Sequence, residues 1–424
     1  MSTDRPSQPS AATIDPRTPA APHDGVVPGR WRKLASISAP LFADNNEVSV
    51  LSTLAPVIIA ALALPLTAIG LLVSVAKGIS IVCGPVWALI ARRTNRKTAF
   101  VVASLLTGVF TAATGLSQNF TQLVLLWSLT AVFVAAALPI TSEITSPLIG
   151  QLARVEDGWR YGFFVWGGLT VVAALIMAFT FKDPGIGASE PATGLMSAEQ
   201  RAQNAKLTWA KVRELLTIPT FVLMLGQRVL SGHLLIATFG VVFLVNTYGF
   251  TTAVAAVVTL PFGLAYLGGT ILGGMGVDAL HQRRPGSGRV MVLQGAQLGF
   301  GAVAILATQV DWGSIGVFAV FWGLMGFMQG LNPGVNRPIV AAVVPPELRG
   351  AAFALMLSVF EALGYIVFNL LASYLGEQIG LKAVMLWIPG VLMLLNGLYC
   401  ALLYRTYPRD TARLTELMAQ RARS

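Results

Sequence analysis

The sequence predicts an all-α membrane protein built from two similar halves of six helices each. Hydrophobic residues make up 55% of the 424 residues and charged residues only 11%. The mean hydropathy of +0.69 exceeds what a water-soluble core requires. Apolar runs long enough to cross a bilayer, about 20 residues each, recur from residue 35 to residue 404. Short clusters of basic residues separate these runs.

The basic residues indicate the orientation of the chain in the membrane. The formal net charge is +10, and its arginines and lysines cluster at residues 92–97, in a central connector, at 283–289 and at 405–413. Cytoplasmic loops of membrane proteins carry an excess of arginine and lysine. A surface that binds nucleic acid would instead be a continuous basic patch, without apolar spans between its basic residues. We therefore expect a multi-pass protein of the plasma membrane with both termini in the cytoplasm, and no nucleic-acid partner.

The elements follow in a regular order along the chain. Residues 1–33 are rich in proline and predict a disordered cytoplasmic tail. The predicted units after it are an N-terminal helical half at 34–181, a cytoplasmic connector at 182–218, a C-terminal helical half at 219–404 and a cytoplasmic tail at 405–424. The predicted spans lie near 35–61, 66–91, 98–118, 120–138, 159–181, 220–246, 252–279, 290–309, 313–343, 351–377 and 382–404.

The loop after the second span of each half carries a related motif. These loops read "ALIARRTNRKTAF" (88–100) and "GGMGVDALHQRR" (273–284). They resemble the Gly-x-x-x-Asp-Arg-x-Gly-Arg-Arg loop of the major facilitator superfamily, as do "GWRYGFF" at the sixth span and "PPELRG" (345–350). The second copy keeps Gly274 and Asp278, whereas the first has Arg92 in place of the aspartate, followed by Arg93. The resemblance implies the major facilitator fold, with Asp278 and Arg93 in gating loops.

The fourth and fifth helices are predicted to be shortened. About 90 residues separate Val290 from Gly380, but only about 60 separate Thr98 from Gly158, which leaves nothing for loops between three spans. We expect a hairpin that turns near Pro139, has both ends outside the cell and holds Glu143 as a buried acid facing the cavity. A deletion or an incomplete sequence would produce the same pattern.

Two acids in the first span are candidates for proton coupling. Asp44 and Glu47 lie three residues apart, on one helical face, and two close carboxylates at low dielectric cannot both ionise cheaply. With Pro56 nine residues later they resemble the first span of proton-coupled aromatic-acid symporters, from which Asn45 and Asn46 are departures. The resemblance implies proton binding at the acids and substrate contact at the asparagines. Alternatively, Asp44 caps a hydrated turn.

Two basic residues in the seventh span are candidates for substrate binding. The resemblance implies that spans one, four, seven and ten line a central cavity. Arg228 would then face Asp44 or Glu47, or receive an anionic substrate. Alternatively, the Arg228 side chain extends to the cytoplasmic surface. His233 binds substrate or serves as a hydrogen-bonded structural residue.

In the tenth span, Arg337 contacts substrate, or it anchors or gates that span. The flanking Pro333 and Pro338 are expected to break the helix there.

One further pair of charges lies at matching depth in spans two and eleven. Lys77 and Glu361 are predicted to form an ion pair at the interface between the halves. The pair either is permanent or breaks as the halves rock.

These features favour a secondary active transporter that moves a small anionic or amphipathic organic solute by alternating access, driven by protons. Residues 182–190 and the stretch before residue 350 loosely resemble spinster-type exporters, so export of drugs or lipid-like amphiphiles is an alternative. A degenerate, non-transporting paralogue is another. No nucleophile–base pair, metal-ligand cluster or phosphate-binding loop is found in the sequence, so we expect no enzymatic activity, metal or cofactor. The expected partners are the solute, protons and the bilayer, and we expect a monomer.

Overall fold

The structure is a computed structural model that describes residues 47–93, 96–134, 157–180 and 209–423. Within these ranges every regular element is a helix, which confirms the predicted all-α class. The helices of the first half are α1 (Glu47–Ala61), α2 (Leu66–Arg93), α3 (Arg96–Thr114), α4 (Phe120–Val134) and α5 (Gly158–Thr180). A short helix, α6 (Trp209–Leu215), lies in the predicted connector.

The second half contains the longer helices. They are α7 (Pro219–Val229), α8 (Leu234–Tyr248), α9 (Thr252–Arg283), α10 (Gly288–Gln309), α11 (Ile315–Val343), α12 (residues 349–379) and α13 (residues 381–423). Helices α7 and α8 form one span that is interrupted at residues 230–233. Helix α12 contains a π-helical segment, Ala354–Phe360, and α13 contains another, Leu386–Leu392.

The helices coincide with the predicted spans. In the described part of the chain, 8 helical segments are long and apolar enough to cross a membrane, and three shorter apolar helices belong to the first half. The C-terminal segment is helical as far as Arg423, and its predicted role as a cytoplasmic tail stays a prediction. The predicted hairpin turn and its second arm, including Glu143, lie outside the described residues.

Local sequence sets several of the helix ends. Pro219 is the first residue of α7, where its missing N–H would have had no helical partner. The Thr251 side chain accepts a hydrogen bond from the Val254 N–H at 3.3 Å and so caps α9. Gly249 ends α8 at a φ of 69°, a left-handed conformation that glycine adopts without strain.

Glycines bring equivalent helices of each half close together. In the first half, a Cβ on Gly108 of α3 would lie 2.7 Å from the carbonyl oxygen of Gly167 in α5. In the second half, a Cβ on Gly301 of α10 would lie 2.9 Å from the carbonyl oxygen of Gly390 in α13. Small residues permit such backbone contact between helices in a membrane. The third and sixth spans of each half therefore pack in the same way.

The two halves meet where α1 packs on α8 and α2 packs on α12. At Gly70 in α2, an added Cβ would lie 2.7 Å from the carbonyl oxygen of Asn369, so no larger residue fits. Near the start of α2, the Thr67 N–H donates to Glu377 Oε1 at 2.7 Å. The halves are thus joined closely at the end of the interface where α1 ends and α2 begins.

The predicted break in the tenth span is wrong. Helix α11 runs continuously through Pro333 and Pro338. A proline at 333 leaves the carbonyl of Gln329 without its helical N–H partner. The Asn332 side chain replaces that partner, because its Nδ2 donates to the Gln329 oxygen at 3.1 Å. A side-chain amide therefore preserves a helix that proline alone would weaken.

Candidate functional site

The central feature of the candidate site is an ion pair between Arg228 and Glu361. Arg228 lies in the last turn of α7, just before the interruption of the seventh span. Its Nε donates to Glu361 Oε2 at 3.1 Å, and its Nη2 donates to the same oxygen. The side chains are only 7% and 21% exposed, respectively. Removing either partner would leave an uncompensated buried charge and would therefore destabilise the protein.

The backbone on both sides of this pair departs from regular α-helix. Glu361 directly follows the π-helical segment of α12, and such bulges are frequent at functional sites. At the break after α7, Asn396 of α13 donates from Nδ2 to the carbonyl oxygens of Gln227 and Leu230, both at 3.2 Å. Asn396 therefore caps the helix end that carries Arg228.

Gly232 fixes the second side of the break. A Cβ at this position would collide with the backbone carbonyl of Ile388, which belongs to the π-helical segment of α13. The interruption of the seventh span thus fits against an irregular stretch of α13. Only a residue without a side chain permits this close backbone approach.

Lys77 does not form the predicted ion pair with Glu361. Glu361 is paired with Arg228 of its own half, and Lys77 Nζ lies 5.6 Å from the ring centroid of Tyr365 instead. Glu361 and Tyr365 are four residues apart in α12, so they share one face. The Tyr365 hydroxyl also lies 3.0 Å from the Thr238 hydroxyl of α8. Cations from both halves therefore approach successive turns of the same helix.

His233 is buried at the start of α8, at 3% exposure. Its ring lies 5.8 Å from the Phe300 ring in an edge-to-face arrangement. Its Nδ1 has no hydrogen-bond partner within the described ranges. The structure therefore places His233 five residues from Arg228, inside the second half, without selecting between its two predicted roles.

The other predicted residues divide into two groups. Arg337 in α11 and Asp278 near the end of α9 are both exposed, and neither forms an ion pair with Arg228 or Glu361 in the described structure. Glu47 begins α1 and Arg93 ends α2, but the described structure does not include their side chains. Asp44, Asn45 and Asn46 lie outside the described residues altogether. Their predicted roles stay predictions.

Sequence reasoning missed a set of buried amides in the second half. These side chains lie in spans seven, nine, ten and twelve and are at most 6% exposed: Gln227, Gln297, Asn332, Asn336 and Asn396. Gln297 Nε2 donates to Asn332 Oδ1 at 2.5 Å, whereas both polar atoms of the Gln227 side chain have no partner in the described part of the chain. Amide side chains within apolar spans are visible in the sequence, and this signal could have added these residues to the candidates, as it did Asn45 and Asn46.

Comparison with known proteins finds a family match in the C-terminal third of the chain. A family model described as Major Facilitator Superfamily matches residues 286–422. The probable galactarate/D-glucarate transporter GudP of Escherichia coli (strain K12) is 26% identical over 227 residues. That match covers 49% of this chain and 49% of the relative, so the chain spans about half the length of the curated relative it matches.

Solved structures share the fold over nearly the whole chain. A bacterial homolog of the human lysosomal transporter Spinster, in an inward-facing and unoccupied conformation, superposes with a TM-score of 0.73 at 18% identity. The match covers 91% of this chain and 99% of that one. The chain therefore has the major facilitator fold. A D-xylose-proton symporter gives a TM-score of 0.64 at 14% identity, over 87% of this chain and 97% of that one.

The shared fold and the apolar helices make the chain a multi-pass membrane protein. The named relatives are transporters rather than enzymes, which is consistent with the expected lack of enzymatic activity. The predicted fold class is confirmed, and the match at residues 286–422 supports the predicted family resemblance. The solute, the coupling ion and the orientation of the termini are matters for proposal.

Proposed function

We propose that this major facilitator protein transports a small organic anion by alternating access and couples the movement to protons. The observation that carries the proposal is the Arg228–Glu361 ion pair at the break of the seventh span. A charge pair in a membrane span is costly and usually marks a substrate or ion pathway. The curated relative that is 26% identical is a probable galactarate/D-glucarate transporter, which favours a carboxylate substrate.

Arg228 is the proposed anchor for the substrate carboxylate. A guanidinium group can bind a carboxylate through two parallel hydrogen bonds. Arg228 directs both Nε and Nη2 toward a single oxygen of Glu361. A substrate carboxylate would therefore compete with Glu361 for Arg228. Protonation of Glu361 would release Arg228 for the substrate.

Lys77 is the proposed second cationic contact. Lys77 Nζ lies over the Tyr365 ring. No carboxylate in the described part of the chain forms an ion pair with Lys77. It belongs to the first half, whereas Arg228 belongs to the second. An anion bound between them would hold the halves together, so its binding would be sensitive to their relative position. This coupling is what alternating access requires.

The close joining of the halves at one end supports the alternating-access part of the proposal. The Thr67–Glu377 hydrogen bond and the contact at Gly70 lie at the end near residues 61–66. We propose that this end is the extracellular gate in its closed state and that both termini are cytoplasmic. Proton coupling is assigned to Asp44 and Glu47, with Glu361 as a further carboxylate whose protonation frees Arg228.

Uptake into proteoliposomes tests the proposal. Purified protein would be given labelled galactarate, D-glucarate or neutral D-xylose, with and without an inward proton gradient. The proposal expects accumulation of an acid but not of xylose, and a several-fold increase when the gradient is imposed. Arg228→Gln should abolish accumulation, whereas the control Arg213→Gln, at an exposed position in α6, should retain it.

Other outcomes of the same assay would contradict the proposal. Flux of a lipid-like amphiphile with no acid transport would favour the exporter alternative. No flux for any solute in a protein that is folded and correctly inserted would favour a non-transporting paralogue. Transport by Arg228→Gln at the rate of the unsubstituted protein would refute the assigned role of this residue.

A further inference from the structure

The lipid-facing surface of α13 ends in a row of arginines. Leu395, Leu398 and Leu402 are 53%, 61% and 52% exposed, and they follow one another at helical spacing on one face. In a membrane protein such a row of exposed leucines faces the hydrocarbon of the bilayer. The same stripe continues along the helix to Arg405, Arg409 and Arg413, all of which are exposed. The face therefore changes from apolar to cationic within one helical turn.

The position of this arginine row corresponds to the headgroup layer. Arg405 follows the last exposed leucine by three residues, about 4.5 Å along a helix, and Arg413 lies about 12 Å beyond Arg405. The polar layer on each side of a bilayer is about 5–8 Å thick, and an arginine side chain adds several ångströms of reach. The guanidinium groups of Arg405 and Arg409 thus lie at the depth of lipid phosphates, and Arg413 follows one helical turn beyond them.

The opposite face of the same helix is fixed to the protein. Tyr407 is 1% exposed, and its hydroxyl accepts a hydrogen bond from Arg289 Nη1 at 3.0 Å. Asp410 is 8% exposed, and its Oδ2 accepts from the Thr220 N–H, at the start of α7, at 2.8 Å. Burial of Tyr407 and Asp410 sets the rotation of the helix and keeps its arginines outward.

The orientation of Asp410 affects the net charge of the outward face of α13. Because its carboxylate points inward to the start of α7, it does not neutralise the outer face. The loop between α9 and α10 lies beside the helix, since a Cβ on Gly286 would be 3.8 Å from Pro408 Cγ. That loop directly follows Arg283 and includes Arg284, and both are exposed. Glu416, three residues after Arg413, is also exposed on this side, so the outer face carries more cations than anions.

We propose that Arg405, Arg409 and Arg413 form a binding site for the phosphate groups of anionic phospholipids in the adjoining leaflet. The continuity with the leucine stripe commits the site to membrane lipid, because a ligand there also meets hydrocarbon. Guanidinium groups bind phosphate oxygens in pairs of hydrogen bonds. Clusters of arginine directly after a membrane span attract anionic lipid in this way.

Thermal unfolding of the full-length protein with defined lipids tests this site. The probe is a phosphatidylglycerol, titrated into protein in neutral detergent, with phosphatidylcholine of the same chain length as the matched lipid. Phosphatidylglycerol should raise the Tm by several degrees more than phosphatidylcholine does. The variant R405Q/R409Q/R413Q should lose most of this difference while its Tm in phosphatidylcholine stays close to that of the unsubstituted protein.

Two further variants separate lipid binding from general effects of charge. R405K/R409K/R413K keeps the positive charge and should retain part of the difference in Tm between the two lipids. This variant replaces the glutamine variant in the test if the latter folds poorly. R213Q/K382Q removes exposed cations elsewhere and should retain all of it. An equal response to both lipids in the unsubstituted protein would overturn the proposal, as would a full response in the triple glutamine variant. Equal stabilisation by inorganic phosphate alone would also overturn it, by assigning the site to a soluble anion.

Discussion

Replacing Glu361 by glutamine should destabilise the protein, because it removes the charge that neutralises Arg228. Removing one partner of a buried ion pair costs about 3–5 kcal/mol. The Glu361 side chain is 21% exposed, so the lower end of that range applies. Glutamine keeps one oxygen that can accept a hydrogen bond from Arg228, which reduces the expected loss to about 2 kcal/mol. Arg228→Gln leaves the carboxylate without its cation and should cost about 3 kcal/mol.

The double variant decides whether these losses come from the pair itself. Arg228→Gln/Glu361→Gln leaves two neutral amides that can bond to each other, so it should be more stable than the sum of the single effects predicts. We expect a coupling free energy of about 2 kcal/mol or more. The measurement is the free energy of unfolding in mixed micelles, followed by circular dichroism during titration with a denaturing detergent.

An exposed ion pair supplies the control. Arg160 Nε and Asp157 Oδ1 lie 3.4 Å apart, but the aspartate side chain is 62% exposed. Asp157→Asn should therefore cost less than about 1 kcal/mol. Additivity of the Arg228 and Glu361 substitutions within about 0.5 kcal/mol would refute the reasoning, because residues that share no interaction behave in that way.

Three further predictions follow from the contacts around this pair. Asn396→Leu removes the donor that caps the carbonyls of Gln227 and Leu230, and should lower the free energy of unfolding by about 1–3 kcal/mol; an unchanged value would show that water replaces the amide. Tyr365→Phe loses the 3.0 Å hydrogen bond to Thr238 and should cost about 1 kcal/mol in the same titration; a stabilised variant would count against that bond. Glu47→Gln should abolish proton-driven accumulation in proteoliposomes while leaving exchange of substrate, and unchanged accumulation would exclude Glu47 from coupling.

The sequence by itself determined the order and the approximate positions of the described membrane spans. In a membrane every backbone N–H and C=O must be bonded within its own segment, so an apolar run of sufficient length becomes a helix whatever surrounds it. Helix ends follow from equally local signals, such as Pro219 at the start of α7 and Gly249 at the end of α8. The charged residues within the spans were also visible, because each is costly in hydrocarbon.

Only the tertiary structure decided which of these groups meet. Glu361 was predicted to pair with Lys77, but its partner is Arg228, 133 residues away in the chain. Depth along a helix can be read from sequence, whereas the rotation of each helix and the choice between two cations depend on packing across the whole bundle.

The continuity of α11 and the inward face of the C-terminal helix have the same origin. Asn332 compensates for Pro333 within its own helix, but its Oδ1 accepts a hydrogen bond from Gln297 of α10, a partner that only the packed bundle supplies. Asp410 turns inward only because the start of α7, 190 residues away, presents an N–H to it. Main-chain hydrogen bonding within one helix is local and can be predicted from sequence, but side-chain partners between helices are set by the assembled fold.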